Sequence, residues 1–327
     1  MVKQPLLYKE WKQSELTFIL VMLVATLATP FSFLMEYSSF QSCLKDATCM
    51  PIGNQFTYSF HSDTFLSLSW MIGLFFALIQ LGFEKNKGLM DFTLSLPFSR
   101  SAIYNSKFML GAGMIIFIHA VSYGMTALFI LVMKPSEITE FNSEYLSALI
   151  AALMIYSLFL AAGTLTGSTI AQAIVAFSTA ILPILVIGLP LVHLEFILQT
   201  SNHLIDYHFY RLMMLISPIM YITTDPSLGD PYLFTGEKIV IPLIMLLLFY
   251  VIGLFCFQKH PTERNDHFFL FSKMDRPIQI MVIVFGVLGF GWVGFSSDNS
   301  LFGYFVGMVL GGVVGVLTSY FLIYRKR

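Results

Sequence analysis

Residues 239–257 read IVIPLIMLLLFYVIGLFCF and contain no charged side chain from end to end, although Glu237, Lys238 and Lys259 flank them closely. An α-helix rises 1.5 Å per residue, so a run of this length covers roughly the 30 Å hydrocarbon core of a bilayer. Backbone groups in lipid must be hydrogen-bonded within the segment, which a helix achieves. The stretch therefore predicts a transmembrane helix.

Similar stretches recur along the whole chain. Hydrophobic residues make up 57% of the sequence, charged residues only 11%, and the mean hydropathy is +0.77. Soluble domains carry roughly 25% charged residues, so this composition excludes an ordinary soluble globular protein. Seven more apolar stretches lie at 16–36, 64–83, 108–132, 146–166, 171–193, 277–295 and 301–323. The pattern predicts an all-α polytopic membrane protein with about eight transmembrane helices.

The basic residues predict the orientation, since lysine and arginine are held on the cytoplasmic side of a membrane. One group lies at both termini and in the loops after the second and sixth stretches: Lys3, Lys9, Lys12, Lys85, Lys87, Arg100, Lys107, Lys259, Arg264, Lys273, Arg276, Arg325, Lys326 and Arg327. A smaller group lies in the other loops: Lys45, Lys134, Arg211 and Lys238. We expect a multi-pass protein of the cell membrane with both termini cytoplasmic, which an even number of spans allows.

Motifs for chemistry are missing from the sequence. The net charge of −1 and the lack of a basic run interleaved with aromatic residues predict no nucleic-acid partner. No GxSxG, HExxH or GxxxxGK[ST] pattern occurs, so we expect no catalytic residue, no metal site and no cofactor in this chain. His119 lies in mid-span, where a lone histidine is more often a neutral partner of a neighbouring helix than a ligand. An intramembrane enzyme is therefore disfavoured.

Two cysteines, Cys43 and Cys49, fall in the loop 37–63, which the basic residues place outside the cell. A disulfide could persist there, and two free thiols are the alternative. The third cysteine, Cys256, lies at the inner end of a span. The sequence leaves the two states of the outer pair open.

Glycines recur at every fourth position in the last apolar stretch, at Gly303, Gly307, Gly311 and Gly315. Such a face lets another helix approach closely in lipid. The partner helix could belong to a second subunit or to the seventh stretch of the same chain. Gly163 and Gly167 form a shorter pair at the end of the fourth stretch, where the chain turns back with almost no loop.

Two further segments are too short or too polar to cross the membrane. At the N-terminus, LLYKEWKQSE (residues 6–15) places Leu6, Leu7 and Trp11 on one side and charged residues on the other, which predicts an interfacial helix. Residues 205–222 include FYRLMMLISPIMYI, a run of about 14 residues that favours a re-entrant or interfacial segment. We expect the second segment to lie at the outer side.

Between the second and third stretches, residues 84–107 read EKNKGLMDFTLSLPFSRSAIYNSK, which we call the coupling segment. A short helix at 88–97 would place Leu89, Phe92 and Leu96 roughly on one face, and Pro97 would end it. Such a helix fits a partner's groove or rests on lipid headgroups, and the residues alone do not separate these alternatives.

This segment resembles the loop between the second and third spans of type-2 ABC exporter permeases, where it is the coupling helix that docks on a separate ATPase. The resemblance assigns matching positions to Glu84, Gly88, Leu94, Leu96, Pro97, Arg100 and Lys107. It also makes the N-terminal segment similar to the elbow helix of the family, and SPIMY at 217–221 similar to its outer re-entrant segment. The likeness covers about residues 5 to 258.

The chain departs from the common family plan in two places. It has Gly88-Leu89 where the family often has Gly-Thr, and it continues past residue 258 through a linker, 259–276, into a pair of spans at 277–327. Eight spans look most like the Ytr-type permeases of Gram-positive bacteria. The resemblance implies a core at 1–258, with the linker and the glycine-rich pair added to it.

The function expected from this resemblance is that of a permease subunit of an ABC transporter, in the exporter class. Its partners would be cytoplasmic ABC ATPases, which hold the ATP and Mg²⁺, a second permease subunit, identical or paralogous, and membrane lipid. Aromatic, weakly charged spans favour an amphipathic or lipid-like cargo. The alternative is a sensor or immunity protein that binds an ATPase without moving cargo.

Overall fold

The structure, a computed structural model, describes residues 4–45, 55–198, 207–222, 235–261, 267–298 and 300–323. Eight helical segments in this part of the chain are long and apolar enough to cross a membrane. They are α2 (Glu15–Lys45), the second span (Thr64–Asn86), α7 (Arg100–Met133), α8 (Phe141–Leu165), α9 (Thr169–Leu198), α11 (Thr235–Gln258), α12 (Asp275–Asp298) and α13 (Leu301–Ile323). The predicted all-α polytopic fold is confirmed.

The remaining elements are short. The second span consists of α3 (Thr64–Ser67), α4 (Trp70–Ala77), a π turn (Leu78–Gly82) and α5 (Phe83–Asn86). Outside the spans lie α1 (Gln4–Gln13), α6 (Leu89–Ser95), α10 (Tyr207–Leu215) and 3₁₀ turns at Phe60–Ser62, Pro218–Tyr221 and Ser272–Met274. Strands β1 (Thr57–Ser59) and β2 (Glu137–Thr139) pair in parallel, with Tyr58 opposite Ile138.

The third span begins earlier than the hydropathy pattern predicts. We expected it to start near residue 108, just after Lys107, but α7 begins at Arg100. Its first turn is capped by Ser99, whose side-chain oxygen accepts a hydrogen bond from the backbone N–H of Ala102 at 3.3 Å. Lys107 thus lies inside a helix, where its charge has to be compensated by other side chains.

The helix α8 forms the centre of the bundle. Its residues from Ala152 to Leu160 are almost entirely buried, and the second span and α11 pack on it. Gly73 of α4 allows this contact, since a Cβ atom there would lie 2.9 Å from the backbone nitrogen of Tyr156. Close packing around α8 places the end of the second span, the start of the third span and the end of the fourth span next to one another.

The glycine face of α13 packs against α12 of the same chain. A Cβ atom at Gly303 would lie 2.5 Å from the carbonyl oxygen of Gly294, and one at Gly311 would overlap the carbonyl oxygen of Gly286. The same holds along the whole face: Gly307 meets Phe290, and Gly315 meets Ile283. Of the two partners that the sequence leaves open for this face, the structure shows the seventh span of the same chain, because the two helices form a hairpin that covers it.

The hairpin α12–α13 is joined to the fifth span through one histidine. His193 in α9 is only 6% exposed. Its Nε2 lies 3.0 Å from the carbonyl oxygen of Leu288, and its Nδ1 lies 3.1 Å from the hydroxyl oxygen of Tyr304. Since a carbonyl oxygen only accepts, Nε2 carries the proton and Nδ1 accepts from Tyr304. A single imidazole thus binds both helices of the pair.

Two earlier predictions fall partly outside the described residues. Residues 205 and 206 are not described, and the rest of the predicted outer segment forms α10 and the turn at Pro218–Tyr221, from which Tyr221 packs into the core. Cys43 lies in the last turns of α2, whereas Cys49 is not described. The disulfide between the two cysteines stays a prediction.

Candidate coupling site

Lys107 of α7 is completely buried and is surrounded by acceptors. Its Nζ donates to Glu10 Oε2 at 2.6 Å, to Glu84 Oε2 and to the carbonyl oxygen of Gln80. Glu10 and Glu84 are themselves 3% and 1% exposed. A buried charge is tolerated only when it is paired and hydrogen-bonded, and here α1 and the second span supply the partners.

A second lysine completes this cluster. Lys9 Nζ lies 2.8 Å from Glu84 Oε1, 3.0 Å from Glu10 Oε1 and 2.7 Å from the hydroxyl oxygen of Thr93. Thr93 in turn donates to Glu84. Two lysines and two glutamates balance one another in charge, and the network joins α1, the second span, α6 and α7. We call Lys9, Glu10, Glu84, Thr93 and Lys107 the ionic network.

The amphipathic assignment made for the N-terminal helix is wrong in one respect. The sequence pattern put Lys9, Glu10 and Lys12 together on a face opposite the apolar residues, but Glu10 is buried within the ionic network. Leu6 is also buried, at 1% exposed. The helix therefore packs both an apolar and an ionic side against the bundle, because α7 offers it a buried lysine.

Lys85, the residue after Glu84 in the second span, binds the end of α8 instead of the ionic network. Its Nζ donates to the carbonyl oxygens of Gly163 and Thr166, at the end of α8. The last carbonyls of a helix have no partner within it, and a cation there is favourable. Gly163 lacks room for a side chain, since a Cβ atom would lie 2.8 Å from Nε2 of Gln172. The predicted glycine Gly163 therefore serves packing inside the chain.

The short helix α6 lies directly on the ionic network. Gly88 precedes it with φ of 67°, a left-handed conformation that glycine adopts without strain. Met90 and Thr93 form the buried underside. On the opposite side, the side chains of Leu89 and Phe92 are 37% and 60% exposed. The part of α6 that a partner could reach therefore contains an apolar pair, with the exposed polar residues Asp91 and Ser95 beside it.

Two leucines at positions that the resemblance assigns to coupling are less exposed than Leu89 and Phe92. Leu94 and Leu96 are partly buried and pack against the hydrophobic core. Pro97 follows the helix and is exposed. Glu84 and Lys107, which the resemblance placed at coupling positions, are buried and bind each other, so neither could touch a partner directly. Their contribution to coupling would be to hold α6.

Arg100 connects the coupling segment with the sixth span. Its Nη1 donates to the carbonyl oxygen of Gln258 at 3.1 Å and to that of His260 at 2.6 Å. Both carbonyls stand at the C-terminal end of α11, where a cation again satisfies unpaired acceptors. Arg100, at a position that the resemblance assigns to coupling, thus joins the start of α7, five residues after α6, to the end of α11.

The linker after α11 folds back onto the same end of the bundle. Leu270 donates its backbone N–H to Leu165 at 2.9 Å, and Gly167 donates to Phe268 at 3.3 Å. This places the predicted glycine Gly167 in the contact between the α8–α9 turn and the linker. The imidazole of His260 is buried there, and burial, with Lys85 and Arg100 close by, lowers its pKa to about 3.

Sequence reasoning identified part of this site and missed the rest. Glu84, Lys107 and Arg100 came from the family resemblance. Lys9, Glu10, Thr93, Lys85 and His260 were missed as site residues. The sequence gives one indication of these contacts, namely charged residues in the N-terminal helix and a lysine, Lys107, at the third span. A single sequence does not show which of these charges form pairs.

Comparisons with known proteins address the identity of the chain. Residues 9–261 match the model of a family described as ABC-2 family transporter protein. The chain is 38% identical over 321 residues to the "Probable ABC transporter permease YtrD" of Bacillus subtilis (strain 168), covering 98% of this chain and 97% of that protein. It is also 38% identical over 332 residues to the "Probable ABC transporter permease YtrC" of the same organism, covering 100% and 99%. No solved structure matches the chain.

These matches agree with the architecture described above. The family model ends at residue 261, while both relatives are matched over nearly the full chain, so their matched regions include the α12–α13 pair. A multi-pass bundle of eight spans, matched along most of its length to ABC permeases, is a membrane subunit for transport. The chain belongs to the ABC-2 transporter family and is a membrane permease subunit of an ABC transporter.

Proposed function

We propose that separate cytoplasmic ATPases dock on α6 of this permease, and that their movement drives an amphipathic or lipid-like cargo out of the cell. The observation that carries the proposal is the combination found at α6: an exposed apolar pair, Leu89 and Phe92, on a helix whose underside is fixed to the ionic network. ATP and Mg²⁺ would be held by the ATPase and not by this chain.

The contacts of α6 support transmission of force. Thr93 connects α6 to Glu84 and Lys9, and Glu84 connects onward to Lys107 in the third span. At its far end, α6 is followed by Arg100, which binds the end of the sixth span. A displacement of α6 by a closing ATPase would therefore move several spans together, as in rigid-body transitions between inward-open and outward-open states.

Docking can be tested by co-purification. The chain is expressed with the ABC ATPases encoded beside its gene and extracted in mild detergent, and the amount of ATPase retained is measured. The Phe92→Asp variant should lose the ATPase, because a charge would have to be buried in the apolar contact. Leu44→Asp is the matched control, since Leu44 is 46% exposed at the opposite end of the bundle. Retention by Phe92→Asp at the level of Leu44→Asp would refute docking at α6.

The topology follows from the same proposal. An ATPase in the cytoplasm requires α6 and both termini to face the cytoplasm, in the cell membrane. The basic residues support this orientation, because most of them lie in the segments on the α6 side. Labelling of single cysteines at Lys87 and Thr139 with a membrane-impermeant maleimide checks it: only the Thr139→Cys variant should react in intact cells.

A second permease subunit completes the proposed assembly. The glycine face of α13 is covered by α12 and is not available for it. Two permeases of one organism match the chain equally well, which supports pairing with a paralogue, and a homodimer is the alternative. Cross-linking in membranes with and without a co-expressed paralogous permease distinguishes the two.

The nature of the cargo is supported by a cavity of about 400 Å³ between α2, α4 and α7. Its walls are almost entirely apolar, and its polar groups are few, among them His119. The Nδ1 atom of His119 lies 2.9 Å from the carbonyl oxygen of Ile115, one turn earlier in the same helix and not in a neighbouring helix as the sequence predicted. An apolar site with few polar groups suits an amphiphile better than a small ion.

Transport in proteoliposomes with the ATPases tests this assignment. Ala28→Trp should reduce ATP-dependent movement of a fluorescent amphiphile, because Ala28 lines the cavity. Leu27→Trp, on the exposed side of the same helix, should not. Movement of a hydrophilic ion without movement of amphiphiles would contradict the assignment. ATPase binding without any flux would favour the sensor or immunity function.

A further inference from the structure

Three side chains that could bind a metal ion meet at the end of the bundle opposite α6. They are His61, Glu140 and Glu144, whose ligand atoms all lie within 4.8 Å of one another. His61 Nδ1 is 3.3 Å from Glu144 Oε1 and 3.9 Å from Glu140 Oε2. Neither the coupling site nor the proposed cargo cavity uses this cluster.

The backbone holds the three residues from two sides. His61 lies in the 3₁₀ turn that follows β1, and β1 pairs with β2 immediately before Glu140. Glu140 and Glu144 are one helical turn apart at the start of α8, where the backbone N–H of Glu144 donates to Glu140 at 3.0 Å. Glu140 precedes the helix with φ of 59°, Glu144 lies in its first turn, and both carboxylates lie close to the histidine.

Neither carboxylate of this cluster forms an ion pair with a lysine or arginine in the part of the chain that the structure describes. Glu144 contacts His61 and, at 3.5 Å, the hydroxyl of Ser147, and Lys238 lines the same pocket as Glu144. Glu144 is nevertheless only 8% exposed. The start of a helix supplies about half a positive charge, which by itself does not offset two carboxylates.

We propose that His61, Glu140 and Glu144 bind a divalent transition-metal ion such as Zn²⁺. One imidazole and two carboxylates are ligand types that zinc accepts, and water would complete the coordination. Two ligand atoms at about 2.1 Å from a tetrahedral ion lie about 3.4 Å apart. The separation of His61 from Glu144 fits this value, and the Glu140 side chain, 53% exposed, can adjust its position.

An ion at this position would fasten the loop after the first span to the start of the fourth span. Water and ions can reach it, because the His61 side chain is 25% exposed. The sequence analysis predicted no metal site, since His61 lies far from the two glutamates along the chain and no spacing motif connects them. Pairing of β1 with β2 brings them together.

The test uses the full chain purified without a histidine tag and treated with EDTA. Zn²⁺ is titrated in competition with a chromophoric chelator, and thermal unfolding is followed with and without Zn²⁺. We expect one Zn²⁺ per chain and a higher unfolding temperature with Zn²⁺. Glu144→Gln and Glu140→Gln should each weaken binding by at least about tenfold, as the loss of even a supporting contact to a metal site does.

Glu137→Gln is the matched control, because Glu137 is exposed in β2 and is not part of the cluster. Its affinity for Zn²⁺ should equal that of the unmodified chain. Glu140→Gln changes an exposed side chain and keeps the test valid if Glu144→Gln does not fold. The proposal is overturned by the absence of saturable Zn²⁺ binding, by equal effects of Glu140→Gln and Glu137→Gln, or by tighter binding of Ca²⁺ than of Zn²⁺.

Discussion

Replacing Lys107 by methionine should destabilise the protein and disconnect α6 from the third span. The substitution keeps an unbranched side chain that is one atom shorter but removes its charge and its hydrogen bonds to Glu10, Glu84 and Gln80. Two buried carboxylates would then share Lys9, which is 25% exposed. Breaking a buried pair in this way costs about 3–5 kcal/mol, mainly because an uncompensated charge stays inside.

The measurement is the free energy of unfolding of the purified chain in mixed detergent, with ATPase co-purification as a second readout. Lys12→Met is the matched control, since Lys12 pairs with Glu15 at 2.8 Å on the exposed side of α1. Exposed pairs contribute little, so the control should leave stability unchanged. The double variant Lys107→Met, Glu84→Gln should lose less stability than the sum of its single variants, because it removes one of the stranded charges.

Two results would refute this reasoning. If Lys107→Met unfolds like Lys12→Met, the ionic network does not hold the helices together. If the effects of Lys107→Met and Glu84→Gln add without coupling, the two side chains do not interact in the folded protein. A stable Lys107→Met variant that also retains the ATPase would separate docking at α6 from the network beneath it.

Two further predictions concern the hairpin and the linker. Gly311→Ala should destabilise the α12–α13 hairpin, because its Cβ would overlap the carbonyl oxygen of Gly286. Gly312→Ala should be tolerated, since its Cβ would meet only Val287 at 3.4 Å. Thermal unfolding of both variants checks this prediction, and equal stability of the two would contradict it. The pKa of about 3 keeps His260 neutral in the folded chain, whereas in the unfolded chain this histidine binds a proton below its ordinary pKa near 6.5. The free energy of unfolding should therefore fall as the pH falls, by about 2 kcal/mol between pH 7.5 and pH 5. The His260→Gln variant should lose this part of the pH dependence, and an unchanged pH profile would argue against it.

Hydrophobic patterning predicted the spans because their signal is local. The last span was placed at 301–323, and α13 has the same bounds. The start of α7 was missed by eight residues, since a charge was taken to end the span, whereas Lys107 is paired inside it. Helix boundaries near paired charges depend on partners distant in sequence.

The candidate site was less predictable than the spans for the same reason. The resemblance identified Glu84 and Lys107 as related positions, but no local pattern showed that they bind each other or that Glu10 joins them. Likewise, the face of α6 that a partner can reach was assigned from periodicity alone. Burial of Leu94 and Leu96 depends on packing against other helices, which the segment itself does not encode.

The two hydrogen bonds between His193 and the hairpin predict what a truncation of the chain before the hairpin would do. The family model stops at residue 261, but both nitrogens of the imidazole are occupied by residues beyond that point. A chain cut at 261 would leave this histidine facing hydrocarbon with neither partner, and the cost would fall on the fifth span rather than on the deleted part. The border of the shared sequence family is therefore not the border of side-chain packing, and the last two helices pack as part of the protomer to which they are attached.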